Sequence, residues 1–155
     1  MLYAYGDESS DETKRRVFAV GTVIGAEEQW AELEERWASR TGGIPFHAND
    51  CDSDQGDFRN RPHNENKQLY ADLTGILADS GMGGYTAAIA LASRREAFPD
   101  VEDMDWSYYK AFQEAVEHAK NCAHFNGETV RFIFDTREES TYNTGRVAHP
   151  FALFC

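Results

Sequence analysis

Apolar and polar positions alternate at the start of the chain. Leu2 and Ala4 interleave with Tyr3 and Tyr5, the period-two pattern of a strand with two differently packed faces. An extended backbone puts Asp7 on the face of Tyr3 and Tyr5 and turns Glu8 to the other. Residues 7–10 then read either as a polar turn, by the preferences of Asp and Ser, or as the anchor of a metal site at a strand end. After the polar residues 11–15, the run 16–24 is β-branched and nearly all apolar, which predicts a second, central strand. The short connection favours an antiparallel hairpin.

The period then becomes helical. Over 26–40, Trp30, Leu33 and Trp37 fall on one stripe and Glu27, Glu28, Glu32, Glu34 and Glu35 on the remaining faces, with Gly42-Gly43 as the stop. The stripe assigns both tryptophans to the core. Residues 51–62 read as a long, acidic, structureless loop, a feature that tends to be functional or mobile. A second helix is predicted over 63–80, with Leu69, Leu73, Ile76 and Leu77 on one face. Residues 82–91 read as a third strand, apolar on both faces and therefore buried, and 92–103 as another loop. A third helix over 105–124 carries Tyr109, Phe112, Val116, Ala119 and Ala123, with Asp105 as its N-cap. Asn126-Gly127 turns into a fourth strand over 128–135, with Val130, Phe132 and Phe134 on one face and Arg131, Ile133 and Asp135 on the other. The remainder, 136–155, is mixed, with a helix start at 137–142. This order predicts an α+β, α/β-like chain: one domain over 1–155, built on a mixed sheet flanked by helices.

Composition narrows the function classes. At 155 residues, 41% hydrophobic and 13% aromatic, the chain is of globular type. It holds no apolar run of the roughly 20 residues that would cross a bilayer, and it opens on no basic-then-apolar leader. Cys51, Cys122 and Cys155 form no CxxC pair, so free thiols in a reducing, cytoplasmic setting are expected. The formal net charge of −12 argues against phosphate binding by basic surface alone. Nucleic acid would require divalent cations to offset the carboxylates, or a partner to supply basic surface.

Two strands end in a carboxylate, Asp7 and Asp135. If those strands are parallel neighbours, the carboxylates meet at one edge of the sheet, where open mixed sheets place their sites. Converging carboxylates suit magnesium or manganese, hard cations that take oxygen ligands, and a pair of such ions can clamp a phosphodiester. The candidates are Asp7, Glu8, Asp50 and Asp135, with His47 as a ligand or proton-transfer group. His-x-x-Asp alone is a weak signal, since histidine serves many structural roles. The sequence contains no GxSxG, P-loop or GxGxxG motif.

These segments carry a resemblance. Tyr3-Ala-Tyr-Gly-Asp-Glu-Ser9, the second strand ending in Gly-Thr-Val-Ile, Phe46-His-Ala-Asn-Asp50 with Gly56-Asp-Phe58, and Phe132-Ile-Phe-Asp135 resemble domain-of-unknown-function family 3800 over most of the chain. The resemblance implies an RNase H-like fold and a metal-dependent nuclease. It matches Asp7 and Glu8 to the acidic start, His47 and Asp50 to the His-Ala-x-Asp segment, and Asp135 to the acidic end of the late strand. Asp7, Glu8 and Asp135 are then the metal ligands, with Mg2+ or Mn2+ as cofactor and nucleic acid engaged through the bound metal. Ser10 stands where members usually carry Gly. Members also continue beyond the position of Cys155, so the chain is expected to be C-terminally incomplete, with apolar Phe151-Ala-Leu-Phe154 free to meet a partner protein or a second copy. The alternative expectation is a non-catalytic RNase H-like binding or regulatory module.

Overall fold

A computed structural model of the chain describes residues 1–11, 13, 15–99 and 103–134. Among these residues the order is β1 (Leu2–Ser10), β2 (Val17–Ala26), α1 (Glu27–Thr41), α2 (Ala48–Asp52), a 3-10 turn (Gly56–Phe58), α3 (His63–Ala78), β3 (Gly83–Ala90), α4 (Leu91–Ala97), α5 (Asp103–Phe125) and β4 (Val130–Phe134). The chain divides into two units. One is Met1–Glu27 with Met82–Phe134, and the described part of the other is Glu28–Gly81.

The first unit is a mixed four-stranded sheet in the order β3-β2-β1-β4 with helices against it. β1 and β2 form the expected antiparallel hairpin, from Leu2↔Ala26 to Ser10↔Phe18. Its turn is built by one side chain: the Asp11 carboxylate accepts the backbone amides of Arg15, Arg16 (2.8 Å) and Val17 (3.0 Å), and the Thr13 hydroxyl. Those donors favour the charged form, so the Thr13 hydroxyl first and the Val17 amide next hold the Asp11 carboxyl well below the usual carboxylate range. β1 runs unbroken through Asp7 and Glu8 to Ser10, so residues 7–10 are strand and not turn.

One face of the sheet packs on α5. Phe18, Val20, Ala87 and Leu91 form its core with Ala111 and Ala115, joined by Tyr85, Ile89, Tyr108 and Phe134. The expected stripe on α5 is corrected. Tyr109 is 63% exposed, and the buried positions are Ser107, Ala111, Ala115, Ala119 and Ala123. Small residues four apart line one side of a helix, letting it lie close on the sheet while Tyr108 and Phe112 reach past it to Phe18 and Phe134. α5 begins at Asp103, so Asp105 lies inside the helix and is not its N-cap. β2 is central as expected. β3 is not the buried strand its composition suggested: it is an edge strand, and of its residues only Ala87 is buried. The expected loop after it contains α4.

The second unit is helical and aromatic. Trp30, Leu33 and Trp37 are buried, as the stripe predicts. α1 ends at Gly42-Gly43, whose amides return to the Ala38 carbonyl at 2.9 and 3.2 Å. Phe46 stacks edge-on against Trp37, Phe58 and Tyr70 at centroid distances of 5.7, 5.9 and 5.9 Å. Arg40 pairs with Asp72 at 2.7 Å, tying α1 to α3. The stretch expected to be structureless contains the end of α2 and the 3-10 turn, with Cys51 and Phe58 in the core. Asp135, the helix start at 137–142 and Phe151–Phe154 lie outside the described residues. Among the described residues no helix is long and apolar enough to cross a membrane.

Candidate functional site

The sheet register places the first candidate. β1 and β4 are parallel neighbours, paired from Leu2↔Val130 to Gly6↔Phe134. Asp7 is the next residue of β1, and Asp135 is the next residue in sequence after Phe134. Gly6 is required at the last pair. A methyl group on it would collide with the Phe134 ring and sit 2.7 Å from Thr22 Cγ2. That contact also identifies the faces: Gly6, Thr22 and Phe134 are on the α5 side, so Glu8, opposite Val20, shares it. Asp7 leaves the other face, with Tyr3 and Tyr5, and Arg131 and Ile133 of β4. The sheet therefore does not bring Asp7 and Glu8 together.

Across from Asp7 is Gly21, and beyond it Thr86 of β3. On the β2 side the residue opposite Asp7 carries no side chain, and the Thr86 hydroxyl lies 3.9 Å from the place a Gly21 side chain would fill. One oxygen of Asp7 accepts the Glu8 amide at 2.8 Å. A carboxylate offers the oxygen ligation that a hard cation takes.

His47 and Asp50 belong to the second unit. His47 is the N-cap of α2, in extended conformation, and its carbonyl accepts the Cys51 amide at 2.9 Å. Asp50 sits in the first turn, where a carboxylate complements the helix dipole. The two residues thus occupy the N-cap and third position of α2, and the His47 side chain makes no cap hydrogen bond. The Asp50 carbonyl accepts the Gln55 amide at 2.8 Å, and its carboxylate lies where a Gly56 side chain would be, Oδ2 at 2.8 Å from that point. Gly56 also holds φ at 52°, a conformation that favours glycine. The segment Phe46-His-Ala-Asn-Asp50 and the following Gly56-Asp-Phe58 are therefore one packed structure. Phe46 and Phe58 supply its core, and Gly56 makes room for Asp50.

A polar network in the same unit escaped the sequence reading. Asn66 is fully buried on the leucine face of α3. Its Nδ2 donates to Asp54 Oδ1 and to the Phe58 carbonyl, both at 2.9 Å. Two acceptors at one end of the amide fix its orientation. The Asp54 carboxylate also meets His63 Nδ1 at 2.7 Å, and the Cys51 thiol donates to the Asn66 carbonyl at 3.3 Å. The Asn66 bond, more than the His63 contact, holds the Asp54 carboxyl below its ordinary range. Burial pushes the Cys51 thiol up, and the side chain packs in the core of this unit. The available signal was Asn66 itself, a polar residue on the stripe of Leu69 and Leu73.

Among the described residues no group of three or more His, Cys, Asp or Glu side chains is arranged to hold a metal ion. No protein-family model matches the chain, and comparison with curated proteins and with solved structures finds no match either.

Proposed function

We propose that the chain is an RNase H-like phosphodiesterase, a nuclease dependent on magnesium or manganese, with Asp7 as the principal ligand. The observation that supports this reading is the parallel pairing of β1 and β4, with Asp7 and Asp135 the residues that follow the last pair, Gly6↔Phe134. β1 itself continues past Asp7 to Ser10, so Asp7 lies within its strand, and carboxylate oxygens are the ligands a hard cation takes. Such an ion, when bound, supplies Lewis-acid stabilisation of a phosphodiester. The chain's own part is to hold the Asp7 carboxylate on the face away from α5, opposite the side-chain-free position of Gly21. His47 and Asp50 enter this reading through the family resemblance alone, and His47→Ala and Asp50→Asn test them by activity.

The test is a manganese titration followed by heat unfolding, on the parent, Asp7→Asn and Asp135→Asn. Binding to the native state raises stability by mass action, by about 2.7 kcal/mol at a hundredfold excess over Kd. Stabilisation of the parent and not of the variants supports the reading, and cleavage assays on labelled RNA and DNA follow.

The second reading, a non-catalytic RNase H-like module, is favoured by one observation. Asp7 and Glu8 leave opposite faces of the sheet, which reduces the acidic set the resemblance implies. It predicts no response to manganese and concentration-dependent association without metal.

A further inference from the structure

Charge is unevenly placed in this acidic chain. Arg15 and Arg16 close the β1–β2 turn, Arg94 and Arg95 lie in α4, and the fold joins the two segments. The Leu91 amide donates to the Arg16 carbonyl at 2.9 Å, and Arg95 Nη1 donates to the Arg15 carbonyl at 3.2 Å. Four arginines thereby gather where β1 ends, at Ser10, three residues or about 10 Å of strand beyond Asp7. The Arg15 and Arg16 side chains are exposed. Of the turn's two acids, Asp11 is engaged by the Thr13 hydroxyl and by backbone amides, and Glu12 lies outside the described residues. On α4 the acid is Glu96, which is exposed.

An aromatic group adjoins the arginines. Phe98 caps α4, its amide bonded to the Arg94 carbonyl at 2.8 Å. Its ring is 49% exposed and leans on Trp106 at 5.5 Å. Arg94, 5% exposed, lies 5.3 Å from the Trp106 ring centre. The buried guanidinium supports Trp106 through a cation–π contact, Trp106 supports Phe98, and Phe98 presents a fixed ring to solvent. Phe98 follows Arg95 by three residues, about 4.5 Å of helical rise. An anion that only needed positive charge would not require that ring. A single strand of nucleic acid offers phosphates and aromatic faces together, whereas in a duplex the base faces are stacked away.

We propose that the β1–β2 turn and α4 form a docking platform for single-stranded nucleic acid, with Arg15 and Arg16 on phosphates and Phe98 stacked on a base. The proposal gives the phosphodiesterase reading its substrate class and rests on that reading for its bearing on catalysis. Binding itself is measured without metal, so the two fail separately.

The experiment is fluorescence anisotropy of short labelled single-stranded RNA and DNA, and of the matching duplex, in EDTA, from about 50 to about 200 mM salt. The parent binds the single strands more tightly than the duplex, and salt weakens binding. Arg15→Gln with Arg16→Gln lowers the salt slope by about 0.7 per arginine. Phe98→Ala weakens single-strand binding by about tenfold, and Phe98→Trp restores it. The α4 contacts are to the backbone carbonyls of Arg15 and Arg16, so the glutamine variants keep them, and unchanged melting temperatures check the fold. Absence of binding by the parent at the lowest salt, affinity untouched by the variants, or a duplex bound as tightly as the single strand overturns the proposal. Manganese-dependent stabilisation lost in Asp7→Asn, together with no oligonucleotide binding, would retain the metal site and remove the platform.

Discussion

The two units are held together by different means. In the sheet unit, order comes from register and from an apolar core between one face and α5, and the candidates Asp7 and Glu8 are positioned by strand pairing. In the helical unit an aromatic core is present too, but the segment carrying His47 and Asp50 depends on polar bonds from one buried amide, Asn66, and on the space left by Gly56. Register propagates along a strand, so a carboxylate within it inherits its place from apolar neighbours. A polar network has no such redundancy, since each buried donor needs its own acceptor.

That difference can be broken by mutation. Phe18→Ala removes a ring that is 1% exposed and packed edge-on to Tyr108 at 6.1 Å. A loss of about 3–5 kcal/mol in denaturant unfolding is expected. Asn66→Ala leaves Asp54 and the Phe58 carbonyl without their buried donor and costs about 2 kcal/mol. If the helical unit relied only on its aromatic core, that substitution would pass almost unnoticed. Gly6→Ala forces Phe134 or Thr22 to move, and a cost of about 1–3 kcal/mol is expected from overpacking. A normal melting temperature for this variant would mean that the β1–β4 pair is not packed as described.

Acid sharpens the comparison more gently. The Asp54 carboxyl lies below its ordinary range when folded. Its contribution to stability is therefore present above the unfolded value, about 3.9, and is lost as pH falls through the lower folded value. Amide exchange in 51–66 should accelerate in that window in the parent, and less so in Asp54→Asn. Equal acid sensitivity in the two proteins would show that Asp54 does not order the segment.

Much of the architecture was legible where the side-chain period had one meaning. Alternation marked β1, the Trp30–Leu33–Trp37 stripe marked α1, and Gly42-Gly43 and Asn126-Gly127 marked where elements turn. Asp7 was legible as a carboxylate on the face of the tyrosines, and the parallel pairing of its strand with β4 makes the neighbouring strand end meaningful. The misreadings also have causes. β3 looked buried because alanine, glycine and isoleucine are apolar, yet such small residues sit readily at an exposed sheet edge. On α5 the bulky residues drew the eye to Tyr109, while packing followed the alanines spaced by four. The segment 51–62 looked structureless because its order comes from Asn66, which lies outside it. No period connects a helix residue to the loop it ties down.

The central claim is that Asp7 holds a divalent cation, and the most direct measurement is the manganese dependence of the melting temperature of the parent beside Asp7→Asn. The account predicts a concentration-dependent rise in the parent and none in the variant. Without metal, the variant should melt close to the parental temperature, because asparagine keeps an oxygen acceptor for the Glu8 amide. Equal rises in both proteins, or none in either, would contradict it.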